Sequence, residues 1–297
     1  MFLVNTMKKK SSNYSKKIES ELRNKTILVT GGAGSIGKIL VSKLLEYPVK
    51  SIRVLDIDEH ALFSLKKSIK SSKLRLLLGN ILDKERVEMA GNNVDIIFHL
   101  AAVKNIEISE FNPIETIDTN INGTVNMIKM VMKNQPKKFL NISTDKSVES
   151  STLYGATKLL GERLTSWAGM HLPSTKFGTI RFGNIFEARG NVFEIWDQEK
   201  NDKKPISITD VNMERYFFHA DDAVNFILNC LSLVNFGEIF VPKMKSHKIK
   251  KLADKISTKQ KIIGLRKGEK LKEILLSDEE RKRAKENSDM WIIKPLN

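Results

Sequence analysis

Short apolar runs rich in β-branched residues alternate along the chain with segments whose apolar residues recur at helical spacing. The runs at 26–30, 51–55, 74–78, 94–100, 138–142 and 175–182 are typical of buried strands. The segments at 36–45, 60–69, 83–89, 114–132 and 154–167 are typical of helices that bury one face. This alternation predicts an α/β fold, with a doubly wound parallel sheet and right-handed crossovers.

The regular alternation ends near Gly183. Beyond it we expect polar loops around 198–204, helices at 220–234 and 248–256, and a short strand at 238–241. We therefore predict a sheet domain at 25–182 and a smaller region at 183–297, which is partly interleaved with the sheet and shapes a substrate cleft. Residues 1–24 are predicted to be a basic flexible arm with a short helix near 18–22.

Composition and charge narrow the class of protein. With 297 residues, of which 41% are apolar and 29% charged, the chain can form a large core and is not a low-complexity sequence. The net charge of +15 is concentrated at the ends, since 1–25 carries +5, 242–297 carries +9 and the remainder carries +1. A nearly neutral centre does not favour a nucleic-acid-binding face, so we interpret the basic ends as solvated surface.

Other residue types exclude further classes. Cys230 is the one cysteine, which excludes an internal disulfide and a cysteine zinc cluster, and the five histidines show no metal-ligand spacing. The apolar run at 2–4 is too short for a signal peptide, and no stretch approaches the roughly 20 apolar residues of a membrane span. We expect a soluble, cytoplasmic protein with no metal and no integral membrane segment.

The turn between the first predicted strand and helix is rich in glycine. Gly31, Gly34 and Gly37 allow a tight turn, close approach of the backbone to a pyrophosphate, and close packing of helix on strand. The free N–H groups at the start of the helix can bind the anion. This context predicts a binding site for NAD(P).

A carboxylate follows the second predicted strand. Asp56 lies 19 positions after Gly37, where it can accept hydrogen bonds from the adenosine ribose and repel a 2′-phosphate. This favours NAD over NADP, although Arg53 and Lys66 are near in sequence and would act in the opposite sense.

A second group of polar residues follows the fifth predicted strand. Thr144 ends that strand at the carboxyl edge of the sheet, Tyr154 comes ten residues later, and Lys158 is four beyond it. On a helix, Tyr154 and Lys158 share one face, so the ammonium can lower the phenol pKa and bind the nicotinamide ribose. A phenolate there is a base that can take a proton from a sugar hydroxyl while a hydride moves to the cofactor.

With these motifs the chain resembles the extended short-chain dehydrogenases/reductases, which have a Rossmann sheet. It is most similar to the UDP-N-acetylglucosamine 4,6-dehydratases of polysaccharide and flagellin-sugar biosynthesis. The resemblance covers about 25–276 and is carried by the stretches 30–37, 99–104, 120–124, 143–146, 154–158, 181–184, 237–243 and 264–271. Tyr154 resembles the inverting branch, because many membrane-anchored relatives have Met there. Glu149 and Ser150 depart from the Asn-Pro of relatives, which affects the loop before Tyr154.

The resemblance implies a reaction in three steps: oxidation at C4, loss of water across C5 and C6, and return of the hydride to C6. Lys146 would be the base at C5 and Asp145 the acid at O6. The cofactor would emerge unchanged, so we expect NAD(P) to stay tightly bound.

The resemblance also implies roles for residues outside these motifs, and a homo-oligomer. Cofactor-binding candidates, with those already named, are Gly31, Gly34, Ser35, Ile36, Gly37, Asp56, Asn80, Ile81, Ala101, Ala102, Asn120, Tyr154 and Lys158. Candidates for binding UDP-N-acetylglucosamine are Lys104, Asn184, Arg215, Arg266 and Glu269. His99 is interpreted as a packed histidine.

Two alternatives stay open. A UDP-sugar 4-epimerase would use Tyr154 and Lys158 but would have no task for Asp145 and Lys146. For a non-catalytic nucleic-acid-binding protein, the net charge of +15 is the only feature of the sequence in favour. The sequence leaves the stereochemistry at C5 undecided.

Overall fold

The computed structural model describes residues 11–296, and the side chains from residue 16 onward. The strands are β1 (Thr26–Thr30), β2 (Ser51–Asp56), β3 (Leu74–Leu78), β4 (Ile96–His99), β5 (Lys138–Thr144), β6 (Lys176–Phe182), β7 (Asn184–Ile185), β8 (Ile206–Ile208), β9 (Glu214–Phe218), β10 (Phe236–Pro242), β11 (Ser246–Lys248), β12 (Gln260–Ile262), β13 (Ala284–Glu286) and β14 (Met290–Ile293).

The helices are α1 (Ser11–Leu22), α2 (Ser35–Leu45), α3 (Glu59–Ser68), α4 (Lys84–Gly91), α5 (Ile106–Phe111), α6 (Pro113–Ile117), α7 (Gly123–Asn134), α8 (Leu153–His171), α9 (Val192–Asn201), α10 (Ala220–Leu231), α11 (Ile249–Ala253) and α12 (Asp278–Arg283). A π-helical turn, Asp118–Asn122, joins α6 to α7, and a 3₁₀ turn, Asp145–Ser147, follows β5.

The central sheet confirms the predicted fold class. Its order is β3-β2-β1-β4-β5-β6-β10-β14-β13, and all pairs from β3 to β10 are parallel. The strands β14 and β13 add an antiparallel edge. The order reverses between β1 and β4, which is where an open α/β sheet forms a ligand crevice at the carboxyl ends of its strands.

Apolar side chains on the two faces of the sheet form separate cores. In β1, Ile27 and Val29 pack with α2, α3 and α10 on one face, whereas Leu28 packs with α4 and α7 on the other. This alternation follows from the two-residue period of a strand whose faces are both covered by helices.

Part of the predicted flexible arm is a packed helix. Ile18 and Leu22 of α1 are buried in the same core as α10, because they lie four residues apart on one face of the helix. Glu21 of α1 forms an ion pair with Lys138, 2.7 Å from Oε1 to Nζ. The short helix predicted near 18–22 is therefore present and is longer than expected, since α1 begins at Ser11, and the first ten residues of the predicted arm lie outside the described part of the chain.

The region after residue 183 contributes to two layers. The strands β10, β13 and β14 extend the central sheet, whereas β7, β9 and β11 form a small sheet and β8 pairs with β12. These smaller sheets surround a separate core that contains Trp196 and Ile206. Among residues 11–296, no helix combines the length and apolar character needed to cross a membrane.

Candidate active site

A cleft of about 750 Å³ opens along the carboxyl ends of the parallel strands. One wall is formed by the glycine-rich turn before α2 and by the loops after β2 and β4. The opposite wall is formed by residues from the region after 183, including α9. The fold thus places the glycine-rich turn and the residues after β5 in one cavity.

The turn after β1 is built to approach a ligand with its backbone. Gly31 has φ +65°, and a Cβ there would lie 2.7 Å from the backbone nitrogen of Ala101. The helix α2 starts at Ser35, and no side chain caps its N-terminus. Its first N–H groups and the positive end of the helix dipole therefore face the cleft, which fits the pyrophosphate of a dinucleotide.

Asp56 is held in position at the end of β2. Its carboxylate accepts hydrogen bonds from the backbone N–H of Ala33, at 2.9 Å, and of Asp58, at 3.1 Å. The Arg53 guanidinium instead donates to the carbonyls of Ala90 and Asn92, at 2.8 and 2.6 Å. Asp56 lines the cleft, and Arg53 does not.

Asn120 supports the cleft from behind. It lies in the π-helical turn and is buried, and its side chain bonds both the N–H and the carbonyl of Val103, at 2.8 and 2.9 Å. It also donates to the Thr157 hydroxyl on α8, at 2.9 Å. Asn120 therefore fixes the loop after β4 against α8, and it is not among the residues that line the cleft.

Tyr154 and Lys158 lie in the first two turns of α8. Thr152 caps this helix by accepting a hydrogen bond from the Gly155 N–H, at 3.1 Å. A Cβ at Gly155 would lie 2.1 Å from the carbonyl oxygen of Lys146, so glycine lets α8 start directly against the turn after β5. Tyr154, Lys158 and Thr144 consequently line the same part of the cleft.

Burial has the largest effect on the pKa values of Tyr154 and Lys158. It raises the pKa of the Tyr154 phenol above its ordinary value, and a hydrogen bond with Thr144 acts in the opposite sense. Burial also lowers the pKa of Lys158 to about 8, against the attraction of the Glu162 carboxylate. The lowered phenol pKa that we expected from Lys158 is therefore not found, because removal from water, with the Asp145 carboxylate acting in the same sense, outweighs the Thr144 hydrogen bond.

Asp145 and Lys146 form a close pair after β5. The Lys146 ammonium lies 2.9 Å from Oδ1 of Asp145 and 3.2 Å from Oδ1 of Asn184. The Thr144 hydroxyl donates to the same Asp145 oxygen, at 3.0 Å. Lys146 lines the cleft, whereas Asp145 is completely buried behind it.

A buried ionic network lies beneath this turn. The Arg181 guanidinium, with no exposed surface, binds the carboxylates of Glu162 and Glu280, each at 2.7 Å. The Ser147 hydroxyl donates to Glu162 at 2.9 Å. The network thus joins the turn after β5, α8, β6 and α12, and it was not foreseen from the sequence.

The substrate side of the cleft is organised around Arg215. Its guanidinium donates to the backbone carbonyls of Lys270 and Leu271, at 2.8 and 3.1 Å, and pairs with Glu269 at 3.3 Å. Arg215 therefore shapes the segment that carries Glu269. Arg266 lies at the exposed rim of the cleft.

Two contacts join the substrate side to the rest of the cleft. Lys104 donates to the Arg189 carbonyl at 2.8 Å, and the Ser35 hydroxyl accepts from the Arg189 N–H at 3.0 Å.

The loop before α8 has an unusual backbone conformation at Glu149. This residue has φ +46°, and its carbonyl accepts a hydrogen bond from the Lys270 ammonium. The unusual residue in this loop thus takes a left-handed conformation that asparagine adopts more readily.

The cleft brings most of the predicted residues together. Those that line it are Gly31, Gly34, Ser35, Ile36, Gly37, Asp56, Ile81, Ala101, Ala102, Lys104, Thr144, Lys146, Tyr154, Lys158, Asn184, Arg215, Arg266 and Glu269. Asn80, Asn120 and Asp145 do not line it; the Asn80 side chain caps the following turn by accepting from the Leu82 N–H.

Two further observations concern metal binding and His99. No metal-binding cluster of His, Cys, Asp or Glu occurs within 11–296. His99 is buried between the hydroxyls of Thr30 and Thr124, at 2.7 and 3.1 Å, and burial lowers its pKa to about 3. His99 is therefore packed as we predicted, and its lowered pKa keeps the imidazole neutral.

Comparisons with known proteins show the family to which this chain belongs. The family described as polysaccharide biosynthesis protein matches residues 27–295. An uncharacterized membrane protein of Methanocaldococcus jannaschii is 41% identical, covering 94% of this chain and 88% of its own. The inverting UDP-N-acetylglucosamine 4,6-dehydratase of Campylobacter jejuni serotype O:23/36 is 37% identical, and the match covers 91% of this chain and 83% of that protein.

A second named activity occurs among the relatives. A UDP-glucose 4-epimerase of Rickettsia canadensis is 33% identical, covering 91% of this chain and 83% of its own. Among solved structures, that of Pen from Bacillus thuringiensis has a TM-score of 0.89 and 33% identity, covering 92% of this chain and 88% of that one.

Proposed function

This chain belongs to the polysaccharide biosynthesis protein family, and we propose from that premise that it is a UDP-N-acetylglucosamine 4,6-dehydratase. Its product would be a UDP-4-keto-6-deoxy-N-acetylhexosamine, with C5 inverted. The observation that carries the proposal is the contact of 2.9 Å between Lys146 and Asp145 beside Tyr154. Elimination of water requires an acid and a base besides the residues that serve the oxidation, and this pair supplies them.

Tyr154 and Lys158 serve the oxidation at C4. The phenolate of Tyr154 takes the proton of the C4 hydroxyl, and Lys158 binds the nicotinamide ribose. A bound NAD(P) would accept the hydride from C4 and later return it to C6. Burial raises the pKa of Tyr154, and the hydrogen bond with Thr144 is the interaction that opposes this rise.

Lys146 and Asp145 serve the loss of water. A ketone at C4 makes the C5 proton acidic, so that Lys146, which lines the cleft, would remove it. Asp145, whose carboxyl group lies 2.9 Å behind the Lys146 ammonium, would be the source of the proton that O6 takes up as the C6–O6 bond breaks. Asn184, 3.2 Å from the Lys146 ammonium, orients the base toward the cleft.

For the cofactor we propose NAD rather than NADP. Asp56 lines the cleft, and its position would bring a negative charge near a 2′-phosphate. Arg53 is engaged with the carbonyls of Ala90 and Asn92, which leaves it unsuited to bind that phosphate. The uncapped start of α2 and the bare Gly31 backbone fit the pyrophosphate of either cofactor.

For the substrate we propose that Arg266 and Lys104 bind the diphosphate and that Asn184 approaches the sugar. Arg215 and Glu269 shape this part of the cleft through their ion pair. A homo-oligomer and a cytoplasmic location stay predictions.

The test is incubation of the purified protein with UDP-N-acetylglucosamine, followed by mass spectrometry and NMR of the product. We expect the loss of one water, a 4-keto-6-deoxy sugar and no net NADH, since the same hydride leaves C4 and returns to C6. Cofactor extracted from the denatured protein should be mainly NAD. Unchanged substrate contradicts the proposal, and recovery of NADP alone contradicts the role of Asp56.

A 4-epimerase is the second candidate, and the identity to the Rickettsia epimerase favours it. That activity would also use Tyr154 and Lys158, but it has no step for the Asp145–Lys146 pair. An isomer of unchanged mass from a UDP-sugar would establish the epimerase.

A further inference from the structure

Lys270 is a partly buried lysine that the steps above do not use. Its ammonium donates hydrogen bonds to the backbone carbonyls of Val148, at 2.9 Å, and of Glu149. Both carbonyls belong to residues 148–152, the loop before α8, which leads directly to Tyr154. Lys270 does not line the cleft, so its ammonium acts on the protein backbone and not on a ligand.

A second contact joins the same two parts of the chain. Residues 266–271 form the rim segment, in which Arg266 and Glu269 line the cleft. The Ser151 hydroxyl donates to the Gly268 carbonyl of this segment, at 2.6 Å. Gly268 has φ +77°, and a Cβ there would lie 2.7 Å from the Ser151 carbonyl oxygen, so glycine lets the two backbones approach closely. The loop before α8 is thus held to the rim segment by the Lys270 and Ser151 side chains.

The rim segment is held from its other side by Arg215. The guanidinium donates to the backbone carbonyls of Lys270 and Leu271, at 2.8 and 3.1 Å, and pairs with Glu269. The Arg266 N–H donates to the same Glu269 carboxylate, at 3.2 Å. The segment proposed to bind the diphosphate is therefore connected by direct contacts to the helix that carries the proposed oxidation base.

The backbone of the loop before α8 depends on the Lys270 contact. Glu149 has φ +46°, a left-handed conformation that a residue with a long side chain rarely adopts. Lys270 bonds the carbonyls of Glu149 and of the residue before it, and a hydrogen bond from a charged donor is a strong one. Without the ammonium, Glu149 would relax toward the common regions of backbone conformation, and the start of α8 would move with it.

We propose that Lys270 is a positioning residue for oxidation at C4, which fixes the start of α8 relative to the rim segment. This inference rests on the proposed function, because it takes Tyr154 as the base and Arg266 as a ligand of the diphosphate. In the step, the proton of the C4 hydroxyl passes to Tyr154 and the hydride passes to the bound cofactor, while Lys270 keeps its protons. The distance from the sugar to the phenol then depends on the Lys270 hydrogen bonds.

The test compares Lys270→Met with wild type in single turnovers with UDP-N-acetylglucosamine, followed by nicotinamide absorbance. Methionine keeps an unbranched side chain but donates no hydrogen bond, so C4 oxidation at saturating substrate should slow by roughly 10- to 100-fold, as for reacting groups displaced by about 1 Å. The Kd for UDP should be close to that of wild type, since Arg215 still binds the backbone carbonyls of the rim segment. An oxidation rate equal to that of wild type, or a loss confined to UDP affinity, overturns the proposal.

Two further variants separate the hydrogen bonds from charge alone. Lys270→Arg supplies N–H donors for the two carbonyls and should recover most of the rate that Lys270→Met loses, and equal losses in both would contradict the proposal. Lys272→Met removes a nearby lysine whose ammonium pairs with Glu214, 3.3 Å away, at the surface. Its oxidation rate and its Kd for UDP should be those of wild type. Thermal unfolding checks that each variant is folded.

Glu149→Asn tests whether the loop conformation is what Lys270 controls. Asparagine adopts the left-handed region more readily than glutamate. The double variant Lys270→Met/Glu149→Asn should therefore oxidise the sugar faster than Lys270→Met, and an equal rate in the two would contradict this role.

Hydrogen–deuterium exchange of the amides at 148–156 tests the same connection without turnover. UDP bound at the rim segment should slow this exchange in wild type, because the segment holds the loop before α8. In Lys270→Met the exchange should be faster than in wild type, and UDP should slow it little. Equal protection by UDP in both proteins, or none in wild type, overturns the proposal.

The outcome for Lys270 is distinct from the outcome for the function. If wild type neither reduces its cofactor nor releases water with UDP-N-acetylglucosamine, the dehydratase proposal fails, and the exchange measurement still decides whether Lys270 connects the rim segment to the loop. If wild type turns over and Lys270→Met matches it in rate and in exchange, the role of Lys270 alone fails.

Discussion

Single residues of the cleft serve different stages of the proposed reaction. Tyr154→Phe should prevent the formation of reduced cofactor, because no base remains for the C4 hydroxyl. Lys146→Ala should still allow C4 oxidation and leave reduced cofactor and a 4-keto sugar that keeps its water. Overall turnover should fall by the roughly 10² to 10⁴-fold typical of a missing acid or base.

Nicotinamide absorbance in single turnovers distinguishes the two variants. Near-normal water loss in Lys146→Ala would contradict its role as the elimination base. Lys243→Ala is a suitable control, because this lysine pairs with Glu286, 2.6 Å away, and does not line the cleft.

The residues found from the sequence are those whose partners are close in the chain. Tyr154 and Lys158 are one helical turn apart, and Thr144 ends the strand before them, so short spacing identifies all three. The ion pair of Arg181 with Glu280 could not be found in this way, because the two residues lie 99 positions apart in the chain. Burial, which determines the protonation of Tyr154, is likewise a property of the fold.

At the scale of elements, α1 is predicted to stabilise the fold without taking part in the reaction. Leu22 is completely buried among residues that pack with α10, and it does not line the cleft. Leu22→Ala should lower the free energy of unfolding by about 2–5 kcal/mol, through lost burial and a cavity. The kcat should stay within a few-fold of wild type, and denaturant unfolding with parallel turnover assays measures both.

The exposed Arg23, which directly follows α1 and pairs with Glu19 of that helix, provides a control. Arg23→Ala removes a surface ion pair with Glu19 and should change the free energy of unfolding by less than about 1 kcal/mol. Equal effects of the two substitutions would show that α1 is not packed as described.

The helices and strands predicted correctly are those with strong hydrophobic periodicity. Those predicted wrongly or not at all differ from the pattern for physical reasons. The long helix expected at 114–132 is divided by the π-helical turn that carries Asn120, whose hydrogen bonds to Val103 depend on tertiary contact. The polar segment around 198–204 was predicted as loop, but its first residues belong to α9, which buries Trp196. The edge strands β13 and β14 are short, and they are defined by pairing with β10 rather than by their own pattern.

At the scale of the whole molecule, the Arg181 network connects α12, late in the chain, to α8, the helix that carries Tyr154 and Lys158. The Glu162 carboxylate raises the pKa of Lys158, which burial lowers to about 8. In Glu162→Gln that attraction is lost, so the pKa of Lys158 should fall further below 8. The inflection that Lys158 contributes to the pH dependence of C4 oxidation should move to lower pH.

Glu280→Gln is the matched control for this prediction. It removes the other carboxylate from Arg181, but Lys158 is influenced by Glu162 rather than by Glu280. Its pH dependence should therefore resemble that of wild type, although both variants should be less stable because each weakens a buried ion pair. An equal shift in both would mean that loosening of the fold, not charge, moves the inflection.

The pairing of Arg181 with Glu280 also affects when the protein can complete its folding during translation. The two residues are 99 positions apart, so at 5–20 residues per second the ribosome adds Glu280 roughly 5 to 20 s after Arg181. Until then, half of the counter-charge of a guanidinium that the finished protein buries completely has not been made, and an unpaired buried charge is strongly unfavourable. The buried surroundings of Arg181 therefore cannot be completed until the segment around residue 280 has been synthesised. A nascent chain arrested before residue 280 should consequently be a substrate for chaperones.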